Sequence, residues 1–278
     1  MKKISRRSFM AAAAVSVAAL ALTACGGSAS SAASSVASSA ASSEAVSSAA
    51  AADLTTVEAG KLTMATNAAF PPYEMTTDAG EFEGIDVDTA KAIAEKLGLE
   101  LQIDDMDFDA ALLSVQQGKA DIVMAGVTVT DDRKAVMDFS DSYATGIQSI
   151  IVPNDSDIAS PDDLAGKKIG TQRGTTGYIY CSDDFGDENV VAYDDGLTAV
   201  QALNNGQVDA VVIDNAPAQE FVAANPGLKV LDTSYAEEDY AIGMAKGSAL
   251  EDAVNKALEE LKADGTLQAI VDKYINAN

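Results

Sequence analysis

The sequence has none of the residues on which most hydrolytic and zinc chemistry depends. Its 278 residues include no histidine and no tryptophan. Histidine is the commonest metal ligand and general base, and a Ser-His or Cys-His catalytic pair cannot be built without it. This absence argues against a hydrolase or a zinc enzyme. We therefore expect no catalytic residue, no metal site and no cofactor.

Cysteine is almost absent as well. The chain has two cysteines, Cys25 and Cys181. Cys25 lies in a segment that is assigned below to export, so no disulfide can form within the folded part. Nothing near Cys181 in the sequence would lower the pKa of its thiol. We expect Cys181 to be a semi-buried small residue rather than a nucleophile.

Positive charge is scarce. The chain has 18 Lys and Arg residues against 43 Asp and Glu residues, which gives a formal net charge of −25. Such an acidic surface repels a phosphate backbone, which argues against nucleic acid as a partner. The composition indicates a well-solvated surface.

The chain opens with a segment that is typical of an export signal. Basic residues precede an uncharged apolar run at 10–22, which is too short to span a bilayer, and we predict a signal peptide at 1–24. The run ends in Leu-Thr-Ala-Cys-Gly, which resembles the lipobox of bacterial lipoproteins. This resemblance implies that Cys25 carries a lipid that anchors the chain to the cell membrane. An ordinary signal peptide with an incidental cysteine is the alternative.

The sequence identifies the export route and the linker that follows less specifically than it identifies the signal peptide. Residues 5–10 also resemble a twin-arginine signal without its usual following lysine, so that route and the general secretory route both stay open. From the cysteine to residue 53 the chain is almost wholly serine and alanine, with no apolar stripe that could bury a face. We predict a flexible tether at 25–53 between lipid and domain.

Beyond the tether, strands and helices alternate. Apolar strands are predicted at 62–66, 99–103 and 120–125, and helices at 86–97 and 109–117. The first helix has one apolar face, which consists of Val87, Ala90, Ile93, Ala94 and Leu97. This order predicts a parallel sheet covered by helices, in which ligands bind beyond the carboxyl ends of the strands.

The turn after the third strand has the features of a carboxylate socket. Gly126 follows the strand, and Thr130 can cap the first turn of a short helix. Asp131 and Asp132 stand at the positive end of that helix, and Arg133 lies beside its exposed backbone N–H groups. Free N–H groups and a guanidinium together can bind one carboxylate. The alternative is a surface turn in which the arginine pairs with one of the two aspartates.

A second block of similar strands and helices follows. Strands are predicted at 147–152, 168–171, 190–193, 208–214, 228–231 and 240–244, and helices at 196–205, 248–263 and 266–275. Two helices have apolar faces, made of Leu197, Val200 and Leu203 in one and of Leu250, Val254, Leu258 and Leu261 in the other. Asp214 ends an apolar strand just before Asn-Ala-Pro, so it is either a helix cap or a site group.

The order of the blocks predicts two lobes. The helical tail belongs with the first block, which gives lobe one at 54–145 plus 241–278 and lobe two at 146–240. Such a chain crosses between lobes twice, here near 143–146 and 239–241. Two crossings form a hinge, and a hinge between lobes forms a cleft that can close.

Several short motifs resemble one known family. They are residues 70–74 (FPPYE), 84–88 (GIDVD), 118–121 (GKAD), 126–133 (GVTVTDDR), 138–141 (DFSD), 174–176 (GTT) and the strand 209–214. In this order, from about residue 60 onward, they resemble the extracellular solute-binding proteins of family 3, which supply polar amino acids to ABC importers. The resemblance implies an α/β, two-lobed periplasmic-binding-protein-like fold of type II with two hinge crossings and the ligand cleft between the lobes.

The resemblance also implies roles for individual residues. Arg133 would bind the α-carboxylate of the amino acid, assisted by the backbone and hydroxyl of Thr128. The backbone N–H groups of Thr175 and Thr176 would donate to the same carboxylate. Asp214 and the Gly126 carbonyl would accept from the α-ammonium. Phe70 and Phe108 would flank the side chain of the ligand. An amino acid has a carboxylate and an ammonium group on the same carbon. The site needs a partner for each of them, because removing either charge from water without a partner is costly.

The expected side-chain pocket is neutral. Asn67 stands where relatives for cationic amino acids tend to have aspartate. Gln172 and Ile213 stand where a glutamine-binding relative has lysine and histidine. An acidic ligand would need a second cation, which Arg173 could supply only if its side chain points inward. We therefore expect a free neutral polar amino acid, such as glutamine or cystine, with an ABC permease as partner.

Two other functions remain open at this point. The protein could present its ligand to a receptor as a sensor, which the sequence does not distinguish from transport. The same two-lobed fold also occurs in dehydratases that act on cyclohexadienyl acids. That chemistry needs an acid aimed into the cleft, for which Glu74 is the nearest candidate.

Overall fold

The computed structural model describes residues 54–275. The predicted signal peptide at 1–24, Cys25 and the predicted tether at 25–53 lie outside this range. Among the described residues, no helix is long and apolar enough to cross a membrane.

The described residues form strands and helices in alternation. The strands are β1 (Lys61–Thr66), β2 (Ala69–Phe70), β3 (Glu74–Thr76), β4 (Phe82–Glu83), β5 (Glu100–Asp105), β6 (Ile122–Val123), β7 (Met137–Phe139), β8 (Ala144–Pro153), β9 (Ile169–Gln172), β10 (Val190–Tyr193), β11 (Ala210–Asp214), β12 (Leu228–Val230), β13 (Ala236–Tyr240) and β14 (Gly243–Ala245). The α-helices are α1 (Ile85–Leu97), α2 (Phe108–Gln116), α3 (Asp131–Val136), α4 (Thr176–Phe185), α5 (Gly196–Asn204), α6 (Asn215–Ala224), α7 (Glu251–Ala263) and α8 (Thr266–Tyr274).

The first sheet has the strand order β5-β1-β6-β14-β7. Strand β1 is parallel to both β5 and β6, which confirms the parallel sheet predicted for the start of the domain. The prediction was incomplete, because β14 returns from the end of the chain and runs antiparallel to β6 and β7. A small antiparallel sheet of β2, β3 and β4, which was not predicted, follows β1 directly.

The second sheet has the order β10-β9-β11-β8-β12, with β13 also paired to β8. Strands β10, β9 and β11 are parallel, whereas β8 runs antiparallel to its three partners. Each sheet is therefore mixed. The carboxyl ends of β1 and β6 in the first sheet, and of β9 and β11 in the second, carry the residues of the site.

The two connections between the sheets lie side by side. The chain passes from β7 in the first sheet to β8 in the second and returns from β13 to β14, and Ala144 is paired with Tyr240 at this crossing. The predicted single strand at 240–244 was wrong. It is divided between β13 and β14, because Ala241 leaves β13 and its N–H donates to Val127 O at 3.1 Å as the chain passes from one sheet to the other.

Buried side chains follow the predicted helix faces with one exception. The predicted faces of α1 and α7 are buried in full. In α5, Val200 and Leu203 are buried, but Leu197 is 46 % exposed. The prediction for Leu197 was wrong because, at about 100° per residue, Leu197 lies roughly 130° around the helix from the centre of the buried stripe. The stripe consists of Gly196, Ala199, Val200, Ala202 and Leu203.

Cys181 is more deeply buried than predicted. Its side chain has no exposed surface and packs in the apolar cluster of the second sheet. Burial raises the pKa of the thiol to about 12, so the neutral form dominates at neutral pH. This agrees with the expectation that Cys181 is not an activated nucleophile.

Candidate functional site

One cavity between the two sheets collects the sequence-predicted residues. The predicted residues that line it are Asn67, Phe70, Gly126, Thr128, Phe108, Arg133, Gln172, Thr175, Thr176 and Asp214. The other lining residues are Glu74, Ala125, Gln148, Val212 and Ile213. The structure thus brings every predicted ligand-binding residue to one place, whereas the predicted lipidation site Cys25 lies outside the described residues. Their binding roles stay predictions.

The turn before α3 forms as the sequence predicts. Thr130 precedes the helix, and its hydroxyl oxygen accepts a hydrogen bond from the backbone N–H of Arg133 at 3.2 Å. Asp131 and Asp132 occupy the first turn. A cap of this kind satisfies an N–H group that has no partner within the helix.

The Arg133 side chain turns into the cavity. Its Nη1 donates to Thr128 O at 2.8 Å and its Nη2 to Gly174 O at 3.1 Å, and the guanidinium carbon lies 5.4 Å from the centre of the Phe108 ring. Within the described part of the chain it has no ion pair with Asp131 or Asp132, so the surface-turn alternative is wrong. A guanidinium has five N–H donors, and the two carbonyls leave the others for a ligand.

The electrostatics of Arg133 suit an anionic ligand. The residue is 9 % exposed. Burial lowers the pKa of the guanidinium, and the charges of Glu238 and Asp214 partly oppose that effect. Arginine stays protonated in proteins. The cavity therefore contains a desolvated cation that is stacked on an aromatic ring and held by neutral carbonyls.

Gly126 needs its lack of a side chain. Its φ angle is +54°, and a Cβ atom would lie 2.8 Å from Cε1 of Phe70. Its N–H donates to Asp86 Oδ2 at 3.0 Å, and the other oxygen of Asp86 accepts from the Tyr143 hydroxyl at 2.7 Å. Burial raises the pKa of Asp86 to about 6, although both hydrogen bonds lower it. This buried acid fixes the orientation of the glycine peptide.

Asp214 does not use its side chain as a helix cap. It precedes α6, but its carboxylate makes no capping hydrogen bond. Oδ2 accepts from Gln148 Nε2 at 2.8 Å, and Oδ1 accepts a short hydrogen bond from the Tyr240 hydroxyl. Burial raises the pKa of Asp214 to about 7, and these two hydrogen bonds oppose the rise. Asp214 is thus a site group, and an adjacent cation would favour its ionised form.

The loop before α4 forms the opposite wall. Thr175 is the N-cap of α4, and its hydroxyl oxygen accepts from the Tyr178 N–H at 3.2 Å. The backbone N–H of Thr175 donates to Gln172 O at 3.4 Å. Of the two N–H groups that the resemblance assigned to a ligand, the one on Thr175 is therefore already engaged, whereas Thr176 starts the helix.

Two amides bridge the cavity away from the charged groups. Gln172 Nε2 donates to Asn67 Oδ1 at 2.8 Å, and Asn67 Nδ2 donates to Met106 O at 2.9 Å. Arg173 points outward, because its side chain is 53 % exposed and pairs with Asp194 at 3.5 Å. Arg173 therefore supplies no second cation to the cavity.

Sequence reasoning missed two polar residues at this site. Gln148 lies in the apolar strand β8, and its Nε2 bridges Asp214 and Glu238. A lone amide in such a strand is a signal that sequence reasoning could have used. Glu238 lies in an acidic stretch, and hydropathy gave no sign that it is buried. Its Oε2 also accepts from Thr128 and Thr176.

Glu74 is the remaining acid of the lining. The residue is fully buried, and neither carboxyl oxygen has a geometric hydrogen-bond partner among the described residues. Burial raises its pKa well above the usual value, and the neighbouring charge of Asp86 raises it further. Burial and the charge of Asp86 therefore both disfavour the ionised form of Glu74. No group of three or more acidic or cysteine side chains in the described range is placed to hold a metal ion.

Comparison with known proteins gives one family. The model described as bacterial extracellular solute-binding proteins, family 3, matches residues 62–277. The L-cystine-binding protein TcyJ of Escherichia coli K12 is 33 % identical over 225 residues, which cover 80 % of this chain and 85 % of that protein.

Solved structures agree with this match. The arginine-, lysine-, histidine-binding protein ArtJ of Geobacillus stearothermophilus aligns with a TM-score of 0.75 and 34 % identity, over 78 % of this chain and 96 % of that chain. An ancestral arginine-binding protein bound to glutamine aligns with a TM-score of 0.74 and 42 % identity, over 78 % of this chain and 98 % of that chain. These similarities confirm the two-lobed fold.

Proposed function

Because the chain belongs to the bacterial extracellular solute-binding proteins of family 3, we propose that its cavity captures one free polar amino acid and delivers it to an ABC importer. The α-carboxylate binds Arg133 and the backbone N–H of Thr176. The α-ammonium binds Asp214 and the carbonyl of Gly126. Phe70 and Phe108 flank the ligand side chain.

One observation carries this proposal. Arg133, whose guanidinium keeps N–H groups beyond those used by two carbonyls, and Asp214, whose carboxylate accepts from neutral donors only, line the same cavity. An amino acid carries one anion and one cation on the same carbon. It therefore satisfies both buried groups at once, and each charge offsets the desolvation cost of its partner.

Contacts across the cavity support closure on the ligand. We place lobe one at 54–145 plus 241–278 and lobe two at 146–240. The Arg133 bond to Gly174 O and the Gln172 bond to Asn67 then both join the lobes. A ligand that touches both lobes favours the closed state over the open one, because only the closed state completes its contacts.

A neutral ligand side chain fits the cavity best. Beyond the groups assigned to the zwitterion, the lining offers the amides of Asn67 and Gln172, aromatic rings, Ile213 and Glu74, whose ionised form is disfavoured by burial and by the charge of Asp86. A cationic ligand side chain therefore lacks a favoured anionic partner there. We therefore propose glutamine or cystine ahead of arginine. Relatives in the family include a cystine-binding protein, an arginine-, lysine-, histidine-binding protein and an ancestral arginine-binding protein bound to glutamine.

A thermal-shift screen tests the function and the ligand class together. The full chain, purified in detergent, is heated with each of the twenty amino acids and with cystine. We expect one neutral polar amino acid to raise the unfolding temperature most, since only a ligand of the folded state stabilises it. The absence of a shift with every one of these compounds would refute amino-acid binding.

Export and anchoring are part of the proposal. The signal peptide at 1–24 directs export, Cys25 receives a lipid after cleavage, and the tether at 25–53 connects the lipid to the domain. Conversion of Cys25 to serine is then expected to release the chain from the membrane into the soluble fraction. A variant that stays in the membrane fraction would contradict lipid attachment at this residue.

Transport is to be separated from catalysis and sensing. After incubation with the chain, the bound amino acid should be recovered unchanged, and any new product would instead support an enzyme that uses Glu74 as an acid. A neighbouring gene pair for a permease and an ATPase favours import over presentation to a receptor.

A further inference from the structure

Glu238 is a buried carboxylate directly behind the polar part of the cavity. Strand β13 alternates in exposure, so that Glu237 and Asp239 face outward while Glu238 and Tyr240 face inward. Glu238 is 6 % exposed. Both inward side chains contact residues that line the cavity. Tyr240 donates to Asp214, and Glu238 accepts from Thr128, Gln148 and Thr176.

Three donors converge on one oxygen of Glu238. Oε2 accepts from the hydroxyls of Thr128 at 3.1 Å and Thr176 at 3.0 Å, and from Nε2 of Gln148 at 3.0 Å. The same amide nitrogen donates to Asp214 Oδ2 at 2.8 Å. The two carboxylates therefore fix the orientation of the Gln148 amide with its nitrogen toward them. In the flipped orientation the amide oxygen would face two carboxylates and would have no donor there.

The contacts of Glu238 decide what the two threonine hydroxyls can do. A hydroxyl has one proton, and a carboxylate can only accept. Once Thr128 and Thr176 have each donated to Glu238, their oxygens can act toward a ligand only as acceptors. These oxygens lie 3.4 Å apart, belong to lining residues, and connect to Asp214 through Gln148. Acceptors grouped with a carboxylate suit a cation and oppose an anion.

We propose that Glu238 is a positioning residue for the ligand's α-ammonium group: by holding both hydroxyl protons, it makes Thr128 and Thr176 acceptors and so makes the cavity select amines. The inference rests on the proposed function, because it requires an amino acid in the cavity. It also changes one expected role. The resemblance assigned the Thr128 hydroxyl to the α-carboxylate, but that bond needs the proton that Glu238 holds.

A purely structural Glu238 would behave differently. If its bonds served only to hold the two sheets together, its loss would weaken every ligand equally. If it sets the polarity of the hydroxyls, its loss weakens ligands with an amine and spares ligands without one. The ratio of the two affinities is therefore the informative quantity.

The test uses Glu238→Met in the full chain, purified in detergent, because methionine removes the acceptor oxygens, whereas glutamine would keep one for the same three donors. The probes are L-glutamine with glutaramic acid, and L-arginine with 5-guanidinopentanoic acid; each second compound lacks only the α-amino group. Affinities are measured by calorimetry, with displacement titration for the weaker compounds. We expect the affinity for the amino acid to fall at least about 10-fold, the scale of one charge-linked hydrogen bond, and that for its deaminated partner to change by less than about threefold.

Glu237→Met is the matched control. It removes the same charge from the neighbouring residue of the same strand, but from the exposed face. We expect this variant to keep the wild-type affinities for all four probes. An equal loss in both variants would show that the net charge, rather than the position of the carboxylate, is responsible.

Further variants keep the proposal testable if Glu238→Met fails to fold, as judged by circular dichroism. Thr128→Val and Thr176→Val remove the hydroxyl acceptors directly and should produce the same selective loss for amines. Equal losses for an amino acid and its deaminated partner overturn the role of Glu238. If cystine alone binds, 3,3′-dithiodipropionic acid serves as its deaminated partner. Binding of none of the twenty amino acids and of no cystine by the wild-type chain overturns the proposed function as well, so the two failures are distinguishable.

Discussion

Replacement of Arg133 by alanine is the most direct perturbation of the candidate site. The guanidinium is almost fully buried, donates to Thr128 O and Gly174 O, and stacks on Phe108. Its remaining N–H groups are the ones that we assign to the ligand carboxylate. Because the partner of those groups is the ligand, the variant should lose binding while keeping its fold.

The size of the loss follows from the number of bonds. A hydrogen bond to a charged group contributes about 1.5–3 kcal/mol. Two such bonds between one guanidinium and one carboxylate contribute about 3–6 kcal/mol, which corresponds to a loss of affinity of roughly 10²- to 10⁴-fold. Deep burial leaves little solvent to screen the pair, so no large discount applies. Arg133→Lys keeps the charge but loses the planar guanidinium that can bind both carboxylate oxygens. Its affinity should therefore lie between those of the wild type and of Arg133→Ala.

Calorimetric titration with the amino acid found by screening measures this effect. Arg173→Ala is the matched control, because Arg173 follows the lining residue Gln172 yet points outward and pairs only with Asp194 at the surface. We expect the control to bind as wild type does. Unchanged binding by Arg133→Ala, with circular dichroism confirming its fold, would refute the carboxylate assignment.

Three further predictions test other parts of the structure. For Asp214→Asn we expect a strong loss of binding. Burial raises the pKa of Asp214 from 3.8 to about 7, so the folded state binds an extra proton between these pH values, and the free energy of unfolding of the wild type falls by about 4 kcal/mol as the pH rises through them. Thermal melts from pH 4 to 8 should therefore show a flatter pH dependence in the variant. For Gly126→Ala, the added Cβ would lie 2.8 Å from Cε1 of Phe70 at a φ of +54°, so stability should drop by about 1 kcal/mol or more and calorimetry should show weaker binding. Leu203→Ala should cost about 2–5 kcal/mol in denaturant titrations, whereas exposed Leu197→Ala should change stability by less than about 0.5 kcal/mol; equal costs would contradict the orientation of α5.

Local rules were enough to predict the first half of the site. The turn from Gly126 to Arg133 follows from a strand end, a capping threonine and the first turn of a helix, all of which are short-range features. The same holds for Asp214 at the end of β11. What the sequence left open was direction, namely whether the Arg133 guanidinium points inward and whether Asp214 caps α6. Contacts with residues distant in the sequence settled both directions: Gly174 O accepts from Arg133, and Gln148 and Tyr240 donate to Asp214.

Other features depend on contacts between distant segments. Glu238 is buried because β13 pairs with β8 on one side and lies beside the turn at Thr128 on the other. An isolated antiparallel bridge joins Thr128 to Tyr240 at this turn. No local pattern in an acidic stretch predicts such burial. Leu197 is the opposite case, an apolar residue left exposed because its neighbours already fill the stripe. Both follow from tertiary packing, which overrides local preference.

The two sheet-connecting segments each supply a tyrosine to an acid of the site. Tyr143 donates to Asp86, which holds the Gly126 peptide, and Tyr240 donates to Asp214. Tyr143 N also donates to Tyr240 O at 2.9 Å, so the two backbones are joined where the chain crosses. The two tyrosines that hold these acids therefore belong to the two segments that cross between the sheets, so the position of both acids is tied to the crossing point.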